Sequence, residues 1–436
     1  RMRTTPAAAA TGGLAALSPD GQTLALAALD GRLKTFDTAS GKLKRAFVGD
    51  TCLGDDSSAP STSGNGHLAE EFTCVVWGHC SPKGKGKKKS APASSLVAVG
   101  TRAGDVVAYD FAMGELKWKA RGCNEGGVLA LAFGQAGVFY SVGEDAQVCA
   151  INAATGAVET RFQAGRAALS GAAVCPDQER LLIGSSTLAL WELDSEKCVG
   201  KFTGHLTRVQ SVAVSPDGCW GVSCASGERN AVLWRLEECS KKKESSAAGL
   251  LNTEEPLAHV STSSAGEEEG VFHVVAVSAL GAVYVWRCTP STSKSGKRRV
   301  EGSLLARVGV EGVSKHGSSG EGVFAARLEA GNKDASLLVA RGSTVKPTFE
   351  VVRLADETSI LLKATESGIL LPGGKGATKG GGSSGPAHAQ NVIGNDSLLG
   401  GGVVMRPAVA DNAAAVKRKR SKEEVAAAIE VDDVDT

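Results

Sequence analysis

The 436-residue sequence lacks the features that mark membrane, secreted and helical-bundle proteins. No apolar run approaches the roughly 18 residues that a membrane-spanning helix requires, and the alanines at 7–10 lie in no apolar signal core. Tyrosine and methionine number only 3 each. The 11 cysteines include no Cys-x-x-Cys pair and no regular spacing. We therefore expect no membrane association and interpret the cysteines as small buried side chains in a reducing compartment.

The sequence also lacks a strong net charge and two common catalytic motifs. The net charge is +1, so any attraction to nucleic acid must come from local clusters. Neither the phosphate-binding loop nor the His-Glu-x-x-His zinc motif occurs. Cys74, His79 and Cys80 are close in sequence, as are Cys219 and Cys224, but neither group has the paired short spacings of a zinc site. We predict no catalytic residue, metal, cofactor or small-molecule substrate.

An internal repeat is the main positive feature of the sequence. Each unit contains apolar strands separated by tight turns and closes on an aromatic or aliphatic residue beside a polar one. The closing pairs at 109, 151, 191 and 234 recur every 40 to 43 residues, which fits the period of about 40 to 45 residues of four-stranded propeller blades. The seven closing pairs are Phe36-Asp37, Tyr109-Asp110, Ile151-Asn152, Trp191-Glu192, Trp234-Arg235, Trp286-Arg287 and Val352-Arg353.

The turns of the repeat favour an antiparallel meander. Ser-Pro-Asp-Gly occurs at 18–21 and again at 215–218. Proline fixes φ, aspartate bonds its own backbone, and glycine accepts a positive φ. Apolar runs such as 181–184 indicate strands that are buried on both faces. One blade cannot cover its own faces, whereas a closed ring leaves only short edges.

The sequence thus predicts an all-β fold, a seven-bladed WD-repeat β-propeller followed by a disordered tail. We place the propeller at 1–355 and the low-complexity tail at 356–436. Irregular spacing of the repeat indicates insertions near 50–66, 81–94, 240–255 and 290–320. Within blade five, Gly204-His205 is the Gly-His dipeptide of WD repeats. We expect His205, Ser223 and Trp234 to form a structural hydrogen-bonded set, although Glu228 stands where an aspartate is usual.

Two basic segments are candidate functional sites. A loop with Lys83, Lys85, Lys87, Lys88 and Lys89 can neutralise phosphates and bind RNA without sequence preference; the alternative is a merely solvated loop. The groups at 241–243 and 297–299 allow the same two interpretations. Aromatic residues for base stacking are missing nearby in sequence. The run Lys417, Arg418, Lys419 and Arg420 is typical of a nuclear import signal; its alternative is a charge run that nothing recognises.

The sequence resembles a WD-repeat nucleolar subunit of the small-subunit processome, from the transcription-linked subcomplex that binds nascent pre-ribosomal RNA. The resemblance depends most on the lysine-rich insertion before "SLVAVGTRAGDVVAYDFAMGELKWK" and on "ARGSTVKPTFEVVRL" in the seventh unit. It implies a nucleolar, non-enzymatic scaffold that contacts other processome WD-repeat subunits and pre-rRNA or small nucleolar RNA. The family's C-terminal helical domain is expected to be missing from this sequence.

Two other classes of function stay open at the sequence level. The first is a generic WD-repeat adaptor, such as a ubiquitin-ligase substrate receptor or a chromatin-peptide reader. Ligase receptors often carry Trp-Asp-x-Arg closures, and no closing pair here is Trp-Asp. The second is a propeller hydrolase, which would need carboxylates or histidines clustered at one mouth of the ring.

Overall fold

The computed structural model describes residues 13–28, 31–48, 71–80, 94–237, 247–266, 268, 270–292, 298–310, 322–329, 335–354 and 358–363. All regular elements in these ranges are β-strands, and they form seven sheets. The predicted all-β, seven-bladed propeller is therefore confirmed. None of the described elements is a helix of the length and apolarity that crossing a membrane requires.

The first four blades each contain four antiparallel strands, innermost strand first. Blade one is β1 (Ala15–Leu17), β2 (Thr23–Ala27), β3 (Arg32–Asp37) and β4 (Leu43–Val48). Blade two is β5 (Phe72–Cys80), β6 (Ser94–Thr101), β7 (Val106–Asp110) and β8 (Glu115–Ala120). Blade three is β9 (Val128–Gly134), β10 (Val138–Gly143), β11 (Gln147–Asn152) and β12 (Val158–Gln163). Blade four is β13 (Gly171–Val174), β14 (Arg180–Gly184), β15 (Leu188–Glu192) and β16 (Lys197–Phe202).

Blade five has the same four-stranded arrangement, whereas blades six and seven have five and three strands. Blade five is β17 (Val209–Val214), β18 (Trp220–Ala225), β19 (Asn230–Arg235) and β20 (Gly249–Asn252). Blade six is β21 (Leu257–Ser264), β22 (Phe272–Ser278), β23 (Val283–Thr292) and β24 (Arg298–Val310), joined by β28 (Ser359–Leu362). Blade seven is β25 (Val323–Glu329), β26 (Ser336–Gly342) and β27 (Pro347–Arg353). All seven predicted closing pairs lie on the third strand of a blade.

The apolar core lies between blades. The described buried residues form seven clusters, and each cluster joins two neighbouring blades. Strands such as β2, β18 and β22 are buried at every position, because each sheet is covered on both faces. Stacking is thus what stabilises each blade, since apolar burial contributes about 25 cal/mol per Å².

The Ser-Pro-Asp-Gly turns stabilise the hairpins that they connect. In blade one, the Ser18 hydroxyl donates to Asp20 and accepts a hydrogen bond from the Thr23 N–H at 2.9 Å. In blade five, the Ser215 hydroxyl donates to Asp217 in the same way and accepts from the N–H of Trp220 at 2.9 Å. Gly21 and Gly218 have φ of 73° and 74°, a region that side chains disfavour.

The predicted insertion near 290–320 contains a β-hairpin that connects two blades. Strands β23 and β24 pair as far as Thr292 opposite Arg298, well beyond the length of the neighbouring blades. The Val300 N–H donates to the Ala248 carbonyl of blade five at 3.3 Å. The Arg298 guanidinium pairs with Glu237 at 3.0 Å. Residues 249–252, within the predicted insertion near 240–255, are likewise a strand, the fourth of blade five.

The predicted end of the propeller at residue 355 excludes a strand that belongs to it. Strand β28 pairs in parallel with β24, with Arg307 opposite Ser359 and Val310 opposite Leu362. The chain therefore returns from blade seven to the outer edge of blade six. Sequence periodicity ends at blade seven and carries no signal for a strand that adds to another blade.

All four strands of blade one come from one continuous segment, so blades one and seven share no strand. The two blades meet through side chains instead. Leu17, Leu24 and Phe36 of blade one pack with Ala325 and Leu338 of blade seven. The Arg327 guanidinium of blade seven donates to two carbonyls of blade one, those of Ser18, at 3.0 Å, and Pro19. These contacts close the ring among the described residues.

Candidate functional site

The structure brings the three residues of the predicted blade-five set together. The Trp234 indole N–H donates to the Ser223 hydroxyl at 2.7 Å. The same hydroxyl lies 2.7 Å from His205 Nε2, and His205 Nδ1 lies 2.7 Å from a Glu228 carboxylate oxygen. A single proton arrangement satisfies the chain: Ser223 donates to Nε2, and Nδ1–H donates to Glu228.

Glu228 completes this network. The sequence indicated this residue only as a departure from the aspartate that is usual at its position. Its carboxylate also accepts the N–H groups of Leu206 and Thr207, at 2.7 and 3.2 Å. Burial raises the pKa of Glu228, but the hydrogen bonds from His205 and from these N–H groups outweigh it and lower the pKa overall. The network holds the loop at 203–208 against blade five, which is a structural arrangement.

The ring has two faces. The turn face carries the turns between first and second strands, such as 18–21 and 215–218. The junction face carries the loops between blades, such as 164–170 and 203–208. A cavity of about 320 Å³ lies among turn-face residues, including Pro19, Trp77, Phe133, Pro176 and Pro216.

A second cavity, of about 440 Å³, lies along the inner strands of blades one, six and seven. Its lining includes Leu14, Gln210 and Thr344, which lie at the junction-face ends of their elements, and His259 deeper in the channel. The His259 ring Nδ1 lies 3.0 Å from the Ser211 hydroxyl. Burial lowers the pKa of His259 to about 4, so the ring is neutral at physiological pH.

The predicted basic sites lie mostly outside the described residues. This applies to Lys83, Lys85, Lys87, Lys88 and Lys89, and to Lys417, Arg418, Lys419 and Arg420. Strand β5 ends at Cys80 and β6 begins at Ser94, so the two described residues that flank the lysine-rich insertion lie on the turn face. His79 and Ser95, at the two ends of the insertion, line the turn-face cavity beside Phe133. The His79 and Phe133 rings are 4.9 Å apart.

The described thiols and carboxylates do not form a metal site. No group of three or more histidine, cysteine, aspartate or glutamate side chains with suitable geometry occurs among the described residues. Burial raises the pKa of Cys74, Cys123, Cys224 and Cys288 to about 12, which keeps these thiols protonated. A protonated thiol is a poor metal ligand and a poor nucleophile.

The fold, the repeated turns and the blade-five network define a WD-repeat β-propeller, a class of protein that typically binds partners and does not catalyse reactions. The family model "WD domain, G-beta repeat" matches residues 196–235, which run from the fourth strand of blade four to the third strand of blade five. The match includes His205, Ser223, Glu228 and Trp234.

Known proteins similar to this chain include WD repeat-containing protein 43 from Homo sapiens, at 27% identity over 365 residues, covering 78% of this chain and 51% of that protein. Transducin beta-like protein 3 from Bos taurus is 28% identical over 136 residues, covering 29% and 16% of the two chains. The chain thus spans about half the length of its human relative. A chain of the "Crystal Structure of Mitotic Checkpoint Complex" shares the fold, with a TM-score of 0.51, 14% identity, and coverage of 77% and 88%.

Proposed function

We propose that this propeller is a non-enzymatic scaffold subunit in ribosome biogenesis. It acts in the nucleus and nucleolus, where it assembles on nascent pre-rRNA with other WD-repeat subunits of the small-subunit processome. Its role is early processing of the small-subunit rRNA, with support of ribosomal DNA transcription as a second part of the same proposal. The resulting assembly is a ribonucleoprotein.

The observation that carries the proposal is the sequence resemblance to the processome family, above all the lysine-rich insertion and the phrase at 340–354. The similarity to WD repeat-containing protein 43 extends over 78% of the chain. The likeness to a single WD-repeat protein therefore covers most of the propeller and is not confined to one repeat. The structure supports a binding role because it offers two faces with central cavities for partners.

RNA contact is assigned to the lysine-rich insertion and is electrostatic. Each lysine that neutralises a phosphate releases counterions, which makes binding sensitive to salt and indifferent to sequence. Pre-rRNA and small nucleolar RNA are both suitable partners for such a loop. The run at 417–420 would supply nuclear import.

A generic adaptor is the second candidate, because cavities on a propeller are also the binding sites of peptide readers and ligase receptors. Crosslinking mass spectrometry of the tagged protein in nuclear extract separates the two. Crosslinks to processome WD-repeat subunits are expected. Crosslinks to ubiquitin-ligase subunits or histone tails, with no processome subunit, would contradict the proposal.

A further inference from the structure

Three arginines on the junction face have no ion-pair or hydrogen-bond partner for their side chains among the described residues. Arg166 lies in the loop between blades three and four, Arg208 in the next loop, and Arg229 in the turn between β18 and β19. All three are exposed. We call this group the arginine sector. Unpaired guanidinium groups are ready donors for carboxylates, with which they form bidentate hydrogen bonds.

The loops of the arginine sector are joined by hydrogen bonds. The Ser226 N–H donates to the Arg208 carbonyl at 2.9 Å, and the Thr207 hydroxyl donates to the Ser226 carbonyl at 2.8 Å. Ser170, four residues after Arg166, donates its hydroxyl to the Val209 carbonyl. These bonds fix the three loops relative to one another, so a ligand does not have to order them.

The carboxylate nearest to the arginine sector in sequence is already occupied. Glu228 precedes Arg229, but its oxygens bind His205 and the N–H groups of Leu206 and Thr207. These hydrogen bonds hold the Glu228 carboxylate against the loop at 203–208, so it lowers the local positive charge but does not pair with the arginines. Within it, the Leu206 side chain is 95% exposed. A large exposed apolar side chain two residues from the unpaired Arg208 suits a ligand that offers both acidic and apolar groups.

An apolar cavity adjoins the arginine sector. Gln210, two residues after Arg208, lines the 440 Å³ cavity, whose other walls include Leu14, Val277 and Phe324. A cavity of this size accommodates one or two aliphatic side chains of a peptide. Stacking of RNA bases would use exposed aromatic rings, and the described loops of the sector contain none, whereas the exposed Leu206 and the apolar cavity favour a peptide.

We propose that the arginine sector and the adjoining cavity bind an acidic peptide segment of a partner protein. Carboxylates of the segment pair with Arg166, Arg208 and Arg229, and a valine or isoleucine enters the cavity beside Gln210. The inference does not depend on RNA binding by the lysine-rich insertion, whose flanking described residues lie on the opposite face.

The test uses fluorescence anisotropy with the whole chain and a ten-residue labelled peptide in which valine alternates with aspartate. The variant R166Q/R208Q/R229Q should weaken peptide binding at least tenfold. The matched control K42Q/K117Q/K197Q also removes three positive charges, but from the outer parts of blades one, two and four, and should leave binding unchanged. Leu206→Ser should weaken binding severalfold. Far-UV circular dichroism and urea unfolding check that each variant is folded.

Three outcomes would overturn the proposal. The first is equal loss of binding in the sector variant and the control variant, which would mean that the peptide responds only to net charge. The second is unchanged binding when asparagine replaces every aspartate of the peptide. The third is no peptide binding while a 20-nucleotide single-stranded RNA binds and is lost in R166Q/R208Q/R229Q, which would make the sector an RNA site.

Discussion

Single side chains determine how firmly the loop at 203–208 is held. Ser223 is the centre of the blade-five network, since its hydroxyl accepts the Trp234 N–H and donates to His205. All the partners of this hydroxyl lie in or against the core, where an unmade hydrogen bond costs about 1 to 3 kcal/mol. The Ser223 hydroxyl is therefore one of the groups that couple the loop to the core, beside the Glu228 carboxylate.

Ser223→Ala should reduce the free energy of unfolding by about 1 to 3 kcal/mol, because it leaves the Trp234 N–H without an acceptor. Urea unfolding followed by tryptophan fluorescence measures this change. Ser186→Ala is the matched control, since Ser186 is an exposed serine in blade four. Equal stability of the two variants would show that the Ser223 hydroxyl contributes nothing to stability.

His259 should make stability depend on pH in a defined window. Burial lowers its pKa from the ordinary 6.5 to about 4, so below pH 6.5 the unfolded chain binds a proton that the folded chain resists. Above pH 6.5 the ring is neutral in the folded and the unfolded chain, and the free energy of unfolding has its full value. This free energy falls by about 1 to 3 kcal/mol as the pH falls toward 4.

His259→Gln, which cannot titrate, should flatten this dependence. Urea unfolding of the wild-type chain and the variant between pH 7 and pH 4 gives the comparison. If both lose stability in parallel over that window, the pH dependence does not come from His259.

At the scale of elements, the sequence predicted the strands and turns, which depend on residues close together in the chain. Each closing pair, from Phe36-Asp37 to Val352-Arg353, lies on the third strand of its blade. These pairs could be found in the sequence because turns and apolar runs are short-range signals. The pairing of Arg307 with Ser359 could not be predicted this way, since a parallel pairing depends on residues far apart in sequence. The same is true of the Val300 contact with blade five.

Removal of β28 should destabilise the outer edge of blade six. A chain that stops after residue 357 loses the partly buried Ile360 and the buried Leu362, which pack against the cluster between blades six and seven. We expect a loss of about 2 to 4 kcal/mol from apolar burial. A chain that stops after residue 363 is the matched control. Thermal unfolding measures the difference between the two chains. Coinciding midpoints would contradict this role of β28.

At the scale of the whole molecule, the candidate sites are divided between two faces. The sequence identified the lysine-rich insertion by composition alone. It could not show that His79 and Phe133 lie together at the base of that insertion, because they come from neighbouring blades and meet only in the ring. It also gave no sign of the arginine sector, since Arg166, Arg208 and Arg229 are dispersed in sequence and share only a face.

Replacement of Lys83, Lys85, Lys87, Lys88 and Lys89 by serine should weaken RNA retention and reduce the slope of log affinity against log salt. The slope falls by about 0.7 for each phosphate contact to single-stranded RNA that is lost. Filter binding over a range of salt concentrations measures both. Replacement of the five lysines by arginine keeps the charge and should preserve retention; identical slopes in the serine and arginine variants would refute RNA contact by this loop.

The proposed role of the ring in early processing of small-subunit rRNA is tested by the profile of pre-rRNA species after the protein is depleted. Early small-subunit precursors should accumulate, and re-expression of the protein should restore the profile. A normal pre-rRNA profile after complete depletion would contradict it.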